Sequence, residues 1–207
     1  VSTDSRTTKQ GELFVPLRGP NFDGHYFLTL AVRSGAAACL SEDVVSGLPV
    51  PVIVVKDCLQ ALGDLAGSVR TIFDGPVVAV TGSSGKTTTK EMVAEGLSAR
   101  NRVHRTPGNF NNYVGLPLTL LGARPDMTLG VVELGMNAPG EIDYLTRLAV
   151  PEGGVWAQTA DPRAGRSLEQ QAARLPALER VAVLVGPLAE VGGILAARGD
   201  EAVRFDC

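Results

Sequence analysis

A lysine and three threonines directly behind a Gly-Ser turn are the residues of this 207-residue chain best suited to phosphate chemistry. The segment reads Val77-Val78-Ala79-Val80-Thr81-Gly82-Ser83-Ser84-Gly85-Lys86-Thr87-Thr88-Thr89, then Lys90-Glu91-Met92-Val93-Ala94-Glu95-Gly96-Leu97. An apolar, β-branched run stops at the turn and helix-forming residues follow, which predicts strand, glycine-rich loop and helix. In that order backbone N–H groups turn inward and the helix N-terminus adds partial positive charge. Gly82, Ser83, Ser84, Gly85, Lys86, Thr87 and Thr88 are therefore the candidate nucleotide-binding residues. Lys86 suits the outer phosphates, and the Thr87 hydroxyl suits a phosphate-bound Mg2+. The loop is shorter than the common G-x-x-x-x-G-K-[ST] form, which needs Gly where this chain has Val80. The Gly-Lys-Thr core and its strand–helix context remain, so ATP or GTP chemistry is the first expectation.

Three further groups of residues carry chemistry. Thr128-Leu129-Gly130-Val131-Val132-Glu133-Leu134 reads as a strand that ends in a carboxylate, and Glu133 there suits Mg2+, opposite Thr87. Pro107-Gly108-Asn109-Phe110-Asn111-Asn112 is a loop too polar for packing; its Asn side chains offer donors and acceptors to a polar ligand or, equally, a turn-rich surface. Arg6 and Arg18 sit in loops near the N-terminus, as solvated charges or as a grip on a diphosphate. His25 and His104 are the only histidines, and neither has a carboxylate at a suggestive spacing, so structural or surface roles are expected of both.

The elements that must position these residues fall into two units. In the first, Leu13–Leu17 reads as a short strand and residues 18–24 as a turn-rich loop, with Asp23 capping a helix through Tyr26, Leu30 and Val32. Residues 37–40 and 52–55 read as buried strands, and Asp57 opens a helix with Leu59, Leu62 and Leu65 at helical spacing. Asp74-Gly75-Pro76 is the expected hinge. In the second unit a helix runs to about Ala99, residues 102–106 form a strand, and Pro139-Gly140-Glu141-Ile142 begins another helix. Alternating strands and helices predict an α/β fold with a parallel sheet, helices on both faces, and ligands beyond the carboxyl ends of the strands. The loops after Val80, after Thr106 and at Glu133 would share that edge.

Composition narrows the class. At this length roughly 70% of the unfolded chain's surface can be buried, so no covalent staple is needed. With 19 basic and 22 acidic residues the net charge is −3, which gives no support for nucleic-acid binding. No apolar stretch reaches the length of a membrane span. Cys39, Cys58 and Cys207 lack metal-ligand spacing and fit buried thiols in a reducing cytoplasm. The chain starts at Val1 without an initiator Met, which is the expectation for a sequence that begins inside a longer protein.

Taken together, these stretches resemble the Mur ligases, the ATP-dependent amide-forming enzymes of peptidoglycan synthesis, and within them the branch that adds D-alanyl-D-alanine. Four segments carry the resemblance: Asp4-Ser5-Arg6 with residues 11–25; Thr81 to Glu91; Thr106 to Asn112 with Gly115 to Leu121; and Val131 to Ile142. The resemblance implies a small α/β UDP-substrate domain over residues 1–74, then a P-loop, parallel-sheet ATP-binding domain over 75–177, with 178–207 a remnant of the C-terminal ligase domain. It implies that ATP phosphorylates the terminal carboxylate of UDP-N-acetylmuramoyl-tripeptide and that the amine of D-alanyl-D-alanine attacks the acyl phosphate. Lys86 and Glu133 would be catalytic, and Thr87 and Glu133 would hold Mg2+. Thr106, Asn109, Asn111 and Asn112 would place the peptide end of the UDP substrate, with Ser5, Arg6, Arg18 and Asp23 near the UDP moiety. A cytoplasmic monomer is expected.

The resemblance weakens after about Val150. The family's His in the stretch comparable to Ala157–Arg163 is absent, and the helix expected around Ser167 to Leu178 contains no Lys for the carbamoylated position. The ATP-binding domain therefore reads as incomplete. The alternative is a truncated, catalytically impaired homologue that only binds nucleotide and UDP-sugar-peptide.

Overall fold

The computed structural model describes residues 1–158 and the backbone of 180–185, 193–198 and 201–206. The chain divides into two compact units, Val1–Ser68 and Val69–Cys207.

The first unit starts with β1 (Leu13–Phe14), a hairpin of β2 (Arg18–Gly19) and β3 (Phe22–Asp23), and a 3-10 turn over Gly24–Phe27 that runs into α1 (Leu28–Ser34). Asp23 caps that turn by accepting the His25 N–H at 2.9 Å, as its position before the helix predicts. The loop read over residues 18–24 thus contains a short antiparallel ladder, Arg18 opposite Asp23. β4 (Ala38–Ser41) and β5 (Val52–Val54) complete a parallel sheet of order β1-β4-β5. Phe14, Leu28, Ala31, Ala36 and Cys39 form the core beneath it. β5 departs from the buried strand that its run of β-branched residues predicts: it is an edge strand, and Ile53 and Val54 are half-exposed. α2 (Cys58–Ile72) begins where Asp57 accepts the Gln60 N–H at 2.8 Å.

The division between units falls inside α2, ahead of the Asp74-Gly75-Pro76 turn. Arg70 supplies the reason. Its nearly buried guanidinium donates to the carbonyls of Phe73, Ala149 and Val150 and to Glu152 Oε1, all at 2.7 to 2.9 Å. The last turn of α2 is thereby tied to the sheet that follows.

That sheet contains β6 (Val77–Gly82), β7 (Val103–Arg105), β8 (Leu129–Glu133), β9 (Gly153–Gln158), β10 (Arg180–Val185), β11 (Gly193–Arg198) and β12 (Glu201–Asp206), in the order β12-β11-β10-β9-β6-β8-β7. The ladders from β10 through β7 are parallel; β11 and β12 run antiparallel. The stretch from 178 onward, expected as a remnant of a separate C-terminal domain, therefore carries strands that extend the sheet of the second unit at the backbone level. α3 (Lys86–Ser98), α4 (Gly115–Leu121) and α5 (Glu141–Ala149) alternate with the strands. Val80, Ala94, Leu129, Val131 and Val155 pack as one core. α4 escapes a periodicity reading because it is two turns long and carries Pro117; its third position is one of the few where proline costs no hydrogen bond.

Register sets the functional edge. Val80 lies opposite Glu133 on one side and Val155 on the other, while Arg105 pairs with Val131. The carboxyl ends of β6, β7, β8 and β9 therefore open onto one edge, where ligands of parallel α/β sheets sit. Among the described residues no helix is long and apolar enough to cross a membrane.

Candidate nucleotide and metal site

The phosphate loop leaves β6 at Gly82, whose φ is +139°. A Cβ on this residue would stand 1.7 Å from the Ala157 carbonyl oxygen on β9, so only glycine fits. Gly85 caps α3 in the left-handed region, and no acidic residue occupies the first turn of that helix. The helix N-terminus is thus left positive. Thr81 is buried and donates its hydroxyl to the Leu134 carbonyl at 2.9 Å, which joins the ends of β6 and β8. Ser83, Thr87 and Thr88 are exposed, Ser84 is half-buried, and the Lys86 ammonium rests on the Gly82 carbonyl at 3.0 Å.

Glu133 faces the same edge from β8. It is 1% exposed, and its backbone N–H donates to Thr106 Oγ1 at 2.9 Å. Asn111 Nδ2 donates to Glu133 Oε1 at 2.7 Å, and the Asn111 carbonyl accepts the Gly135 N–H at 2.7 Å. The approach is close: a Cβ on Gly135 would meet the Asn111 amide at 2.8 Å. The second carboxylate oxygen, Glu133 Oε2, is buried with no hydrogen-bond partner among the described residues. An unsatisfied buried carboxylate oxygen is costly and calls for a proton, a cation or a ligand donor. Together with the glycine cradle, this donor set fits a hard divalent cation, which takes oxygen ligands.

The Asn-rich loop divides its labour. Asn111 holds Glu133, whereas Asn112 Oδ1 accepts the Val114 and Gly115 N–H groups at 3.1 and 2.9 Å and so starts α4. Asn109 is exposed. Thr106 is fully buried between β7 and β8. Sequence reasoning missed Lys90, a fully buried lysine that donates to the Thr106 and Gly108 carbonyls at 2.7 and 3.0 Å. Only the general rarity of buried lysine makes it conspicuous, and its burial shows only in three dimensions.

Of the residues predicted in the first unit, Arg18 and Asp23 engage each other. Arg18 contacts Asp23 at 3.1 Å, Glu42 at 2.5 Å and Asp43 at 2.8 Å. Arg6 is exposed and clasps Asp4, drawing that carboxyl down to about 2. Ser5 is buried. The structure corrects the reading of His25, which does have a carboxylate partner two residues back: Nδ1 lies 2.6 Å from Asp23 Oδ1, and Nε2 accepts the Glu42 N–H at 3.1 Å. The network therefore assigns the ring proton to Nδ1. Hydrogen bonds from His25 and then Arg18 hold the Asp23 carboxyl down at about 2. His25, Glu42 and Cys58 bring possible ligand atoms within 4.8 Å of one another. In the ligand-free chain the Nε2 lone pair is taken by the Glu42 N–H, and burial with nearby Glu42 and Asp57 pushes the Cys58 thiol up to about 11.

Comparison with known proteins agrees with this geometry. Residues 80–160 match the model of the Mur ligase middle domain. Over 157 residues the chain is 47% identical to the UDP-N-acetylmuramoyl-tripeptide–D-alanyl-D-alanine ligase of Bacillus subtilis, covering 75% of this chain and 34% of the relative. The chain belongs to the Mur ligase family. The corresponding ligase of Escherichia coli is 43% identical over 155 residues, covering 75% of this chain and 34% of the relative. The chain thus spans about a third of the length of the curated relatives it matches. The crystal structure of MurF from Acinetobacter baumannii superposes with a TM-score of 0.74 at 26% identity, over 99% of this Mur ligase chain and 54% of that one. MurF from Thermotoga maritima in complex with ADP gives a TM-score of 0.71 at 26% identity, covering 99% and 57%. The segment after Gln158 that lacks the family's His, and the helix expected around Ser167 to Leu178, lie outside the described residues.

Proposed function

We propose that this chain carries the nucleotide site and the UDP-substrate unit of an ATP-dependent ligase that joins D-alanyl-D-alanine to UDP-N-acetylmuramoyl-tripeptide through an acyl phosphate, in the cytoplasm. The observation that carries the reading is the buried, unpartnered Glu133 Oε2 on the same sheet edge as the Gly82–Thr88 loop. Support comes from relatives that bear the ligase name and from a superposable MurF structure that contains ADP.

The backbone of Gly82, Ser83, Ser84 and Gly85 would cradle the phosphates of ATP, with Lys86 leaving the Gly82 carbonyl for the transferring phosphoryl oxygens. Thr87 and Glu133 would hold Mg2+, which supplies neutralisation of phosphate charge when bound. Thr88 extends the positive first turn. Thr106, Asn109, Asn111 and Asn112 would line the approach of the peptide carboxylate: Asn109 by contact, Asn111 through Glu133, and Asn112 through the start of α4. Ser5, Arg6, Arg18 and Asp23 would shape the UDP side of the first unit. We further propose residues 1–74 and 75–177 as the UDP-substrate and ATP-binding domains.

The test is phosphate release by the purified chain with ATP, Mg2+, UDP-N-acetylmuramoyl-tripeptide and D-alanyl-D-alanine. Turnover that requires all four and disappears in Lys86→Ala establishes the ligase. Nucleotide binding without turnover assigns this chain the binding role alone, and no nucleotide binding contradicts the proposal.

A further inference from the structure

We propose that Lys90 is a positioning residue of the nucleotide site: its buried ammonium pins the Thr106–Gly108 turn to α3 and thereby holds Asn111 against Glu133. The inference rests on the nucleotide reading above. An ammonium has three N–H donors, and Lys90 finds three acceptors: the carbonyls of Thr106 at 2.7 Å and Gly108 at 3.0 Å, and Glu91 Oε1 at 2.8 Å. Glu91, drawn below its ordinary carboxyl range chiefly by Lys90, also pairs with Arg105 at 3.2 Å. Two of the three acceptors thus belong to the turn after β7 and one to the helix itself. Burying a charge costs stability unless every donor is met, and here meeting them fixes the turn in place.

The turn controls Glu133 by two routes. The Thr106 residue whose carbonyl Lys90 holds is the one whose Oγ1 accepts the Glu133 N–H. The chain beyond Gly108 carries Asn111, which holds Glu133 Oε1 and the Gly135 N–H. Lys86 and Lys90 are four residues apart, about one turn of helix. The same helix therefore offers its first lysine to phosphate and uses its second to orient the carboxylate.

The test compares the 207-residue chain with Lys90→Met by calorimetric titration of ADP with and without Mg2+, and by hydrogen exchange of the ligand-free proteins. We expect Mg2+-free ADP affinity to be kept, because the loop is untouched, and the tightening by Mg2+ to fall by about tenfold, as for other outer supports of metal ligands. Exchange should quicken at the Glu133 and Gly135 amides and across residues 106–111, but not in β6. Unchanged Mg2+ dependence, or exchange raised uniformly through the unit, overturns the proposal. If Lys90→Met does not fold, Thr106→Val removes only the next link; it must then quicken the Glu133 amide and weaken the Mg2+ effect, and failure to do either overturns the proposal. If the unaltered chain binds no ADP, the nucleotide reading fails on its own, and the exchange pattern still decides whether Lys90 holds Glu133.

Discussion

Two polar clusters, one in each unit, reach opposite ends. Around Arg18 every strong group has found a partner: three carboxylates on one guanidinium, and both ring nitrogens of His25 engaged. Around Glu133 the partners stop one short, and a carboxylate oxygen is buried with no partner among the described residues. A saturated network holds a fold. An unsaturated one, on the same sheet edge as the glycine loop, is a place for something else. The contrast argues that Arg18 supports the first unit's hairpin in the ligand-free chain, and that Glu133 is held ready for a cation.

The largest way to break the second cluster is through its backbone. Gly82→Ala would drive a methyl into the Ala157 carbonyl and force a side chain into a left-handed conformation. We expect a loss of more than about 3 kcal/mol, read as a lower urea midpoint with unchanged slope. Arg18→Met, by contrast, should leave ADP affinity unaltered and lower the urea midpoint of the first unit slightly. That loss should shrink as salt is added, because Arg18 and its partners are partly exposed. A large salt-independent loss would show that the cluster behaves as a buried site.

A smaller effect sharpens the first cluster. Asp23 titrates near 2 in the folded chain against an ordinary value of about 3.9. A carboxyl depressed in the fold contributes stability above its unfolded value and loses it as pH falls toward the folded one. Stability of the first unit should therefore decline as pH drops from about 4 to about 2, and Asp23→Asn should flatten that decline. An unchanged acid limb in the variant would assign the decline to other carboxyls, with Asp4 the next to replace.

The two clusters were unequally legible in the sequence. Local signals survive: the Gly-Lys-Thr turn behind a β-branched run, the carboxylate ending β8, and the caps at Asp23 and Asp57 each depend on neighbours within a few residues. What was hidden depends on contacts across the chain. Arg18 meets Glu42 and Asp43 from more than twenty residues away, and Asn111 reaches Glu133 from twenty-two. Lys90 reads as one more charge on a helix until the turn after β7 closes over it. The exposure of β5 was missed for a related reason: β-branched composition marks a strand but does not say whether a further strand or helix covers it.

The central claim is that Glu133 is kept unsatisfied for a metal that accompanies nucleotide phosphate. Glu133→Gln tests it most directly, because the amide oxygen preserves the Asn111 hydrogen bond while the anionic charge is lost. Calorimetric titration of ADP should show binding tightened by Mg2+ in the unaltered chain, with about 10- to 100-fold of that tightening lost in the variant. Thermal stability should hold or rise, since a buried charge has been removed. Equal Mg2+ dependence in the two proteins, or a variant that fails to fold, would contradict the account.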